Sequence, residues 1–405
     1  MLIPRSFPAK ALAVLLPLAA FLLPALAQER PAPSNAIEAL QAKLISGEVK
    51  LTYEEKGQGY LKSLLAALGI SQDSQVLPFT RSSLQFDKIS PTAPRAVYFN
   101  DDVAVGSVLR GQILELLAND KENGGLAFYT FDANRSEEKP RFRREEGRCS
   151  FCHAMTGRSS MGWMVADIAA TANGEPHFTN PSQPFNFTDH RTPFEERWGG
   201  WYVTGTSGAM VHRGNVTALD PNLPFDLPEK VGLNVTDLSG KFDIGQVLQP
   251  TSDIVALMTL EHQTGVANRI GGINVLKRTG APEKLDAAIE ELVTYMTFGD
   301  EAKLTAPVKG NSTFTETFAK KGPRDGRGRS LRDFDLQTRL FRYPLSFMVY
   351  SDAFASLHPE VRAKMWWRLY EVLSADTSRP ESAVAIAIVA ATKKDLPATW
   401  KQAAR

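Results

Sequence analysis

The two cysteines of this 405-residue chain lie three residues apart, at Cys149 and Cys152, and His153 follows directly. Two cysteines so close together cannot form the disulfide framework of a small secreted domain. The Cys-x-x-Cys-His arrangement is instead typical of covalent haem c attachment. Two thiols add to the vinyl groups of the porphyrin, the two-residue spacer lets both reach one porphyrin edge, and the histidine becomes the proximal iron ligand. The motif therefore predicts one covalently bound haem c.

Three other interpretations of the motif stay open. A structural zinc site needs four ligands, and the sequence has no third cysteine. A thioredoxin-type dithiol requires the motif at a junction of strand and helix, whereas the segment before Cys149 is charged and rich in arginine. A plain disulfide between Cys149 and Cys152 closes a very small loop and stabilises little. Haem attachment is the interpretation that the residues favour most.

The ligand on the second face of the iron decides between electron transfer and small-ligand chemistry. His262 shares one i, i+4 helical face with Ile254 and Met258. Met210 and His212 belong to a Gly- and Ser-rich segment of a kind that can fold over a porphyrin face. We therefore take His262, His212 and Met210 as the candidate sixth ligands.

The other methionines and histidines are interpreted as structural residues. Three methionines follow His153 closely and are expected to pack in the core or against the porphyrin: Met155, Met161 and Met164. Three histidines in polar or proline-flanked surroundings are expected at the surface or in hydrogen bonds: His177, His190 and His358.

Two groups of arginines are candidates for binding the haem propionates, because buried carboxylates need charge-assisted partners. The first precedes the motif and includes Arg144 and Arg148, and Arg148 directly adjoins Cys149. The second lies in the glycine-rich segment 322–332 and could instead dock an acidic redox partner. We take Arg148 and Arg144 as the candidate propionate partners.

The N-terminal residues predict export. Residues 1–27 combine positive charges at Arg5 and Lys10, an apolar stretch from Ala11 to Leu23, and the cleavage site Ala25-Leu26-Ala27, as in a secretory signal peptide. The whole apolar run from Ala11 to Ala27 is short for a membrane span, and Pro17 and Pro24 interrupt it. We expect a mature chain in the periplasm that has no membrane span.

The composition is that of a globular protein, with 43% hydrophobic and 22% charged residues. The formal net charge of +1 gives no strongly basic field, so nucleic acid is not expected as a partner. The expected partner is a redox protein, with a small ligand of the iron as a further possibility.

The pattern of apolar residues predicts an α+β fold. Short apolar runs between residues 96 and 131 predict an antiparallel meander, although the run Ile113 to Leu117 also fits the start of a helix. Near the N-terminus, Ser34 is expected to cap a helix that extends to about Ile45. Later helices are expected at 252–268, 282–298, 359–374 and 380–393.

Two parts follow from this pattern. Residues 28–250 are expected to form a mixed α/β part that carries the motif, and residues 251–405 a mainly helical part packed on it. Together they are expected to make one compact haem-binding unit, which is not a small all-α cytochrome c domain alone.

Several sequence blocks give the chain a family resemblance. Beside Cys149 to His153 they are Pro94 to Asp102 (PRAVYFNDD), Arg197 to Thr206 (RWGGWYVTGT), His212 to Asn215 (HRGN), Leu260 to Gln263 (LEHQ), Gly328 to Arg332 (GRSLR) and Leu340 to Pro344 (LFRYP). With these blocks the chain resembles a group of uncharacterised exported bacterial monohaem cytochrome c-like proteins. The resemblance implies haem c and specifies no substrate. Ser207 stands where similar members often have histidine, so no ligand role is expected there.

Three functions remain as hypotheses. The first is an exported electron carrier or redox subunit with a six-coordinate haem. The second is a haem enzyme or small-ligand sensor whose sixth iron position is open, and the length of the chain around a single haem favours it. The third is a structural or binding protein in which the haem mainly stabilises the fold. We expect a redox role, with the enzyme or sensor as the alternative.

Overall fold

The computed structural model describes residues 32–55, 58–122, 125–133, 140–145, 147–149, 153, 162–177, 186–218 and 232–402. The predicted signal peptide, Cys152, Met155 and Met161 lie outside the described residues. The strands, in chain order, are β1 (Leu77–Pro78), β2 (Ala96–Phe99), β3 (Val103–Ser107), β4 (Ile113–Asp120), β5 (Gly125–Asp132), β6 (Phe142–Arg144), β7 (Ala166–Asp167), β8 (Ala169–Ala170), β9 (Pro176–His177), β10 (Asn186–Phe187) and β11 (Trp201–Tyr202).

Strands β2 to β6 form a five-stranded antiparallel meander in chain order. The meander lies where the sequence predicts it, and the run Ile113 to Leu117 belongs to a strand, so its helical alternative is wrong. The other strands pair two by two, as β1 with β11, β7 with β10 and β8 with β9. These short pairs suit a segment rich in Gly, Pro and Asn, which interrupt longer ladders.

The meander packs on both faces because successive side chains of a strand point to opposite faces and its strands carry apolar residues on both. On one face, residues such as Leu114, Leu116 and Tyr129 pack with the N-terminal helices. On the other, Leu117 and Phe128, which face each other across β4 and β5, join a larger core that reaches the C-terminal helices. The second face, called here the inner face, carries the candidate site.

The helices, in chain order, are α1 (Ala36–Ser46), α2 (Leu61–Ala67), α3 (Ile254–Thr279), α4 (Pro282–Met296), α5 (Phe314–Lys321), α6 (Asp352–Ala355), α7 (Pro359–Ala375), α8 (Pro380–Thr392) and α9 (Ala398–Gln402). The mixed α+β class with a helical C-terminal region is therefore confirmed. Helices α4, α7 and α8 each begin on the predicted proline, whose fixed φ suits the first turn.

The cap of α1 and the end of α3 differ from the prediction. Helix α1 is capped by Asn35 and not by Ser34, because the Asn35 Oδ1 atom accepts hydrogen bonds from the backbone of Ile37 and Glu38 at 3.0 and 3.1 Å. Helix α3 continues to Thr279, well beyond residue 268, and ends where Gly280 adopts a φ of 69°.

Residues Pro33–Arg405 form one compact unit. Helix α3 runs through its interior: from Ile254 to Ala267 every side chain is buried. The part of the chain that the structure describes contains no helix with the length and apolarity that a membrane crossing requires.

Candidate haem-binding site

The motif opens onto the main cleft of the described chain. Cys149 and His153 line this cleft, whose open volume, mouth included, is about 1070 Å³. Its walls come from the inner face of the sheet, from the segment 163–168 and from α3. They are mostly apolar: Val97, Ala104, Leu117, Phe128, Trp163, Met164, Val165, Ile168, Trp201 and Leu260. A deep apolar cleft with few polar groups is the usual form of a cofactor site.

His153 is held in the orientation that an iron ligand needs. Its Nδ1 atom lies 2.6 Å from the carbonyl oxygen of Gly162, so Nδ1–H donates this bond and Nε2 keeps its lone pair. Within the described residues Nε2 has no hydrogen-bond partner. The Phe128 ring packs against the imidazole with a centroid distance of 4.6 Å. Burial lowers the pKa of His153, which favours the neutral form that binds metals.

A second set of hydrogen bonds fixes the position of the Gly162 carbonyl, which accepts the bond from His153. The Asn268 side chain on α3 accepts from the Trp163 backbone N at 2.7 Å and donates to the Trp163 carbonyl at 2.9 Å. Position 162 must be glycine here, because a Cβ atom would lie 2.7 Å from the Asn268 Oδ1 atom. Gly162 is therefore held against α3. Because its carbonyl accepts the bond from His153, the His153 ring is held in place as well.

The charged lining of the cleft comes from Arg95 and Glu115. The Arg95 Nη1 atom lies 3.5 Å from the Glu115 Oε2 atom and donates to the Ser82 carbonyl at 3.3 Å. Burial lowers the pKa of Arg95, against the opposing effect of the Glu115 charge. Arg95 is a functional candidate that the sequence-based reasoning missed.

The structure places His262 away from the cleft. Its neighbours on α3, Leu260 and Thr264, line the cleft, but the His262 ring lies on another face of the helix. Its Nδ1 atom is 2.7 Å from the Nδ1 atom of His190, and its Nε2 atom is 2.7 Å from the Ser346 Oγ atom. Both ring nitrogens are occupied, which does not favour a role as sixth ligand.

His212 and Met210 also lie outside the cleft lining. The His212 Nδ1 atom accepts from the Gly214 backbone at 3.1 Å, and its ring packs edge-on against Trp198. The Met210 Sδ atom lies 3.3 Å from the backbone N of Thr305. Since these side chains are held elsewhere, the loop does not fold over the cleft as expected. Met164, expected to pack, is the methionine that lines the cleft.

Neither of the two expected propionate partners lines the cleft. Arg148 pairs with Glu145, and 62% of its side chain is exposed. Arg144 pairs with Glu38 and Asp120 at 3.2 and 3.3 Å. Proximity of Arg148 to Cys149 in sequence does not direct its guanidinium into the cleft.

Behind α3 lies a buried polar cluster formed by His190, Arg197, Glu261, His262 and Tyr295. Arg197 and Glu261 form an ion pair of 3.0 Å and are 2% and 0% exposed. The His190 ring stacks on the Tyr295 ring at 3.9 Å. Burial raises the pKa of Glu261 to about 7 and lowers the pKa of His262 to about 3. His190 is thus buried and hydrogen-bonded, and His358 is 47% exposed.

No family model, curated protein or solved structure matches the chain. Among the described residues, no group of three or more His, Cys, Asp or Glu side chains converges in a way that could hold a metal ion. An iron held by a porphyrin needs no such group, because the ring supplies four ligands and the protein supplies the axial ones. The mostly apolar cleft, the oriented histidine and the buried arginine all fit a haem.

Proposed function

We propose that this chain is an exported monohaem c-type cytochrome-like protein with a redox role. The observation that supports it is the orientation of His153: Nδ1 is bound to the Gly162 carbonyl, while the ring lines the main cleft beside Cys149. The position at the cleft distinguishes His153 from His190, whose Nε2 also has no described partner but is buried in the polar cluster.

The residues have distinct tasks in this proposal. Cys149 and Cys152 would hold the porphyrin through thioether bonds, and His153 would be the proximal ligand. The Gly162 carbonyl fixes the tautomer of His153 and raises its basicity. The mostly apolar walls would pack against the bound porphyrin. A bound haem supplies a one-electron couple, and its potential depends on the axial ligands and on burial.

Export through the signal peptide, a periplasmic location and a redox partner protein are parts of the same proposal. They rest on the N-terminal sequence and on the motif, since haem c is attached outside the cytoplasm.

The covalent attachment is tested by changing both cysteines to alanine. In the wild type, expressed with haem c maturation machinery, a pyridine haemochrome spectrum is expected to show one c-type haem per chain. The double variant Cys149→Ala, Cys152→Ala is expected to show none, because both thioether bonds are lost. His358→Ala, an exposed position, serves as the matched control. A wild type without c-type haem would overturn the proposal.

A second candidate function is a haem enzyme or small-ligand sensor with an open sixth position. It is favoured by one observation: His262, His212 and Met210 do not line the cleft. The carrier hypothesis would instead require a ligand from the cleft lining. Met164 lies there and has the thioether that usually serves as this ligand in an electron carrier.

Carbon monoxide separates the two functions, because it binds ferrous haem at an open position. A carrier with Met164 as ligand is expected to resist carbon monoxide, whereas its Met164→Leu variant binds it. If the protein is an enzyme or sensor, the wild type and the Met164→Leu variant are expected to bind carbon monoxide equally well. The Soret band of the reduced protein is the readout.

A further inference from the structure

We propose that Arg95 binds a propionate of the haem and that Arg95 and Glu115 act on its redox potential in opposite directions. This inference rests on the proposed function, since it concerns the same cleft. It assigns the carboxylate-binding role to Arg95 in place of Arg144 and Arg148.

The first support is an unsatisfied donor. The Nε atom of Arg95 is buried and has no hydrogen-bond partner within the described residues. Its Nη1 atom makes only long contacts, 3.3 Å to the Ser82 carbonyl and 3.5 Å to Glu115. A buried N–H of a charged group without a partner is costly. Arg95 lines the cleft, and its planar guanidinium is shaped for a carboxylate partner.

The second support is the position of Arg95 on the sheet. Val97 pairs with Gly106, and Gly106 with Glu115, across β2, β3 and β4. Arg95 lies two residues before Val97, on the same face. Gly106 has no side chain, and a Cβ there would lie 3.7 Å from the Arg95 Cδ atom. This is an ordinary van der Waals distance, and it shows that the Arg95 side chain lies over the middle strand beside Glu115.

The third support is the weak competition from Glu115. Its Oε1 atom accepts from Ser83 at 2.6 Å and from Gln85 at 3.3 Å. Glu115 is therefore held by other donors and takes little of the hydrogen-bonding capacity of Arg95. Arg95, Glu115 and His153 all line the same cleft, so both charges border the space that the expected haem would occupy.

The experiment measures the midpoint potential of the haem-loaded protein by spectroelectrochemical titration. Ferric haem carries one more positive charge than ferrous haem, so a nearby cation favours the reduced state. Arg95→Gln is expected to lower the midpoint potential, and Glu115→Gln to raise it. Arg95→Lys, which keeps the charge, is expected to lie nearer to the wild type than Arg95→Gln. Arg148→Gln, at an exposed and paired position, is expected to give a smaller shift than Arg95→Gln.

Opposite shifts in Arg95→Gln and Glu115→Gln support the inference, because general loosening of the cleft would move both variants in one direction. Shifts of the same sign overturn it, and so does an Arg95→Gln potential equal to that of the wild type or of Arg148→Gln. If Arg95→Gln does not accumulate, Arg95→Lys is compared with Glu115→Gln. The inference is then supported if Arg95→Lys has a midpoint potential near that of the wild type while Glu115→Gln has a higher one. A wild type without covalent haem overturns the proposed function itself and this inference with it.

Discussion

Helix α3 contributes to two regions that hold histidines in opposite ways. In the cleft, His153 uses one ring nitrogen for the Gly162 carbonyl, and the other has no protein partner among the described residues. In the buried polar cluster, His262 uses both nitrogens, one toward His190 and one toward Ser346. The cleft is open and mostly apolar, whereas the cluster is closed and pairs nearly all of its charges.

The comparison separates His153, the proposed ligand, from His262, a structural histidine. Both rings are largely buried, and burial lowers both pKa values. Burial and a low pKa therefore do not identify the ligand. The distinguishing feature is an unused nitrogen that faces a space large enough for a partner.

The largest expected effect comes from replacing each of the two histidines by alanine in a separate variant. His153→Ala is expected to impair haem attachment and shift the Soret band, because the proximal ligand is lost. His262→Ala is expected to keep the wild-type spectrum. Absorption spectra of the purified proteins, normalised to protein concentration, make the measurement. A spectral change in His262→Ala as large as that in His153→Ala would contradict the distinction between the two regions.

The ion pair of the cluster gives the next effect. Arg197→Met is expected to lower the free energy of unfolding by about 3–5 kcal/mol, since Glu261 would remain as an uncompensated buried charge. The double variant Arg197→Met, Glu261→Leu is expected to recover part of this loss. Urea denaturation followed by tryptophan fluorescence provides both values. If Arg197→Met loses less free energy of unfolding than the double variant, the importance of the ion pair is contradicted.

The pH dependence of stability tests His262. The folded pKa of about 3 lies below the unfolded value near 6.5, so between these values only the unfolded state binds the proton. The contribution of His262 is present above pH 6.5 and is lost as pH falls, by about 1.4 kcal/mol per pH unit. His262→Gln is therefore expected to lose less stability than the wild type between pH 6 and pH 4. Urea midpoints at each pH are compared, and Ser346→Ala, which keeps the imidazole, should retain the wild-type slope.

The smallest effect is expected at Tyr295. Its hydroxyl lies 3.5 Å from the Glu261 carbonyl and 3.4 Å from the His262 carbonyl, near the limit of a hydrogen bond. Its ring, by contrast, stacks on His190 and lies 3.9 Å beneath the Arg269 guanidinium. Tyr295→Phe keeps the ring, so it is expected to cost less than about 1 kcal/mol in urea denaturation. A larger loss would mean that the hydroxyl holds the cluster together.

Local patterns predicted most of the secondary structure. Short apolar runs predict the meander, and prolines mark the first turns of α4, α7 and α8. The end of α3 was missed because the helix is buried on nearly all sides and lacks a clear polar face along much of its length. The cap of α1 was misplaced by one residue, since Ser34 and Asn35 are both good capping residues.

The site was less predictable than the fold because it depends on side-chain direction across distant segments. The helical face shared with Ile254 and Met258 makes His262 a candidate ligand, but the His262 ring contacts His190 and Ser346 instead. Arg148 was favoured because it adjoins Cys149, yet its side chain points to Glu145. Arg95 could have been found from the sheet register, which places it beside Gly106 and Glu115 on the inner face.

The bond between His153 and Gly162 has a consequence beyond ligand orientation. The electron-donating power of an imidazole toward iron rises with the strength of the hydrogen bond at its other nitrogen. Here the acceptor is the carbonyl oxygen of Gly162. The next residue, Trp163, is held by two hydrogen bonds to Asn268, which lies far along the chain on α3. In the proposed cytochrome, the affinity of the iron for an electron is therefore set in part by the placement of a helix. Substitutions along α3 could retune that affinity over evolutionary time while every residue of the attachment motif stays the same.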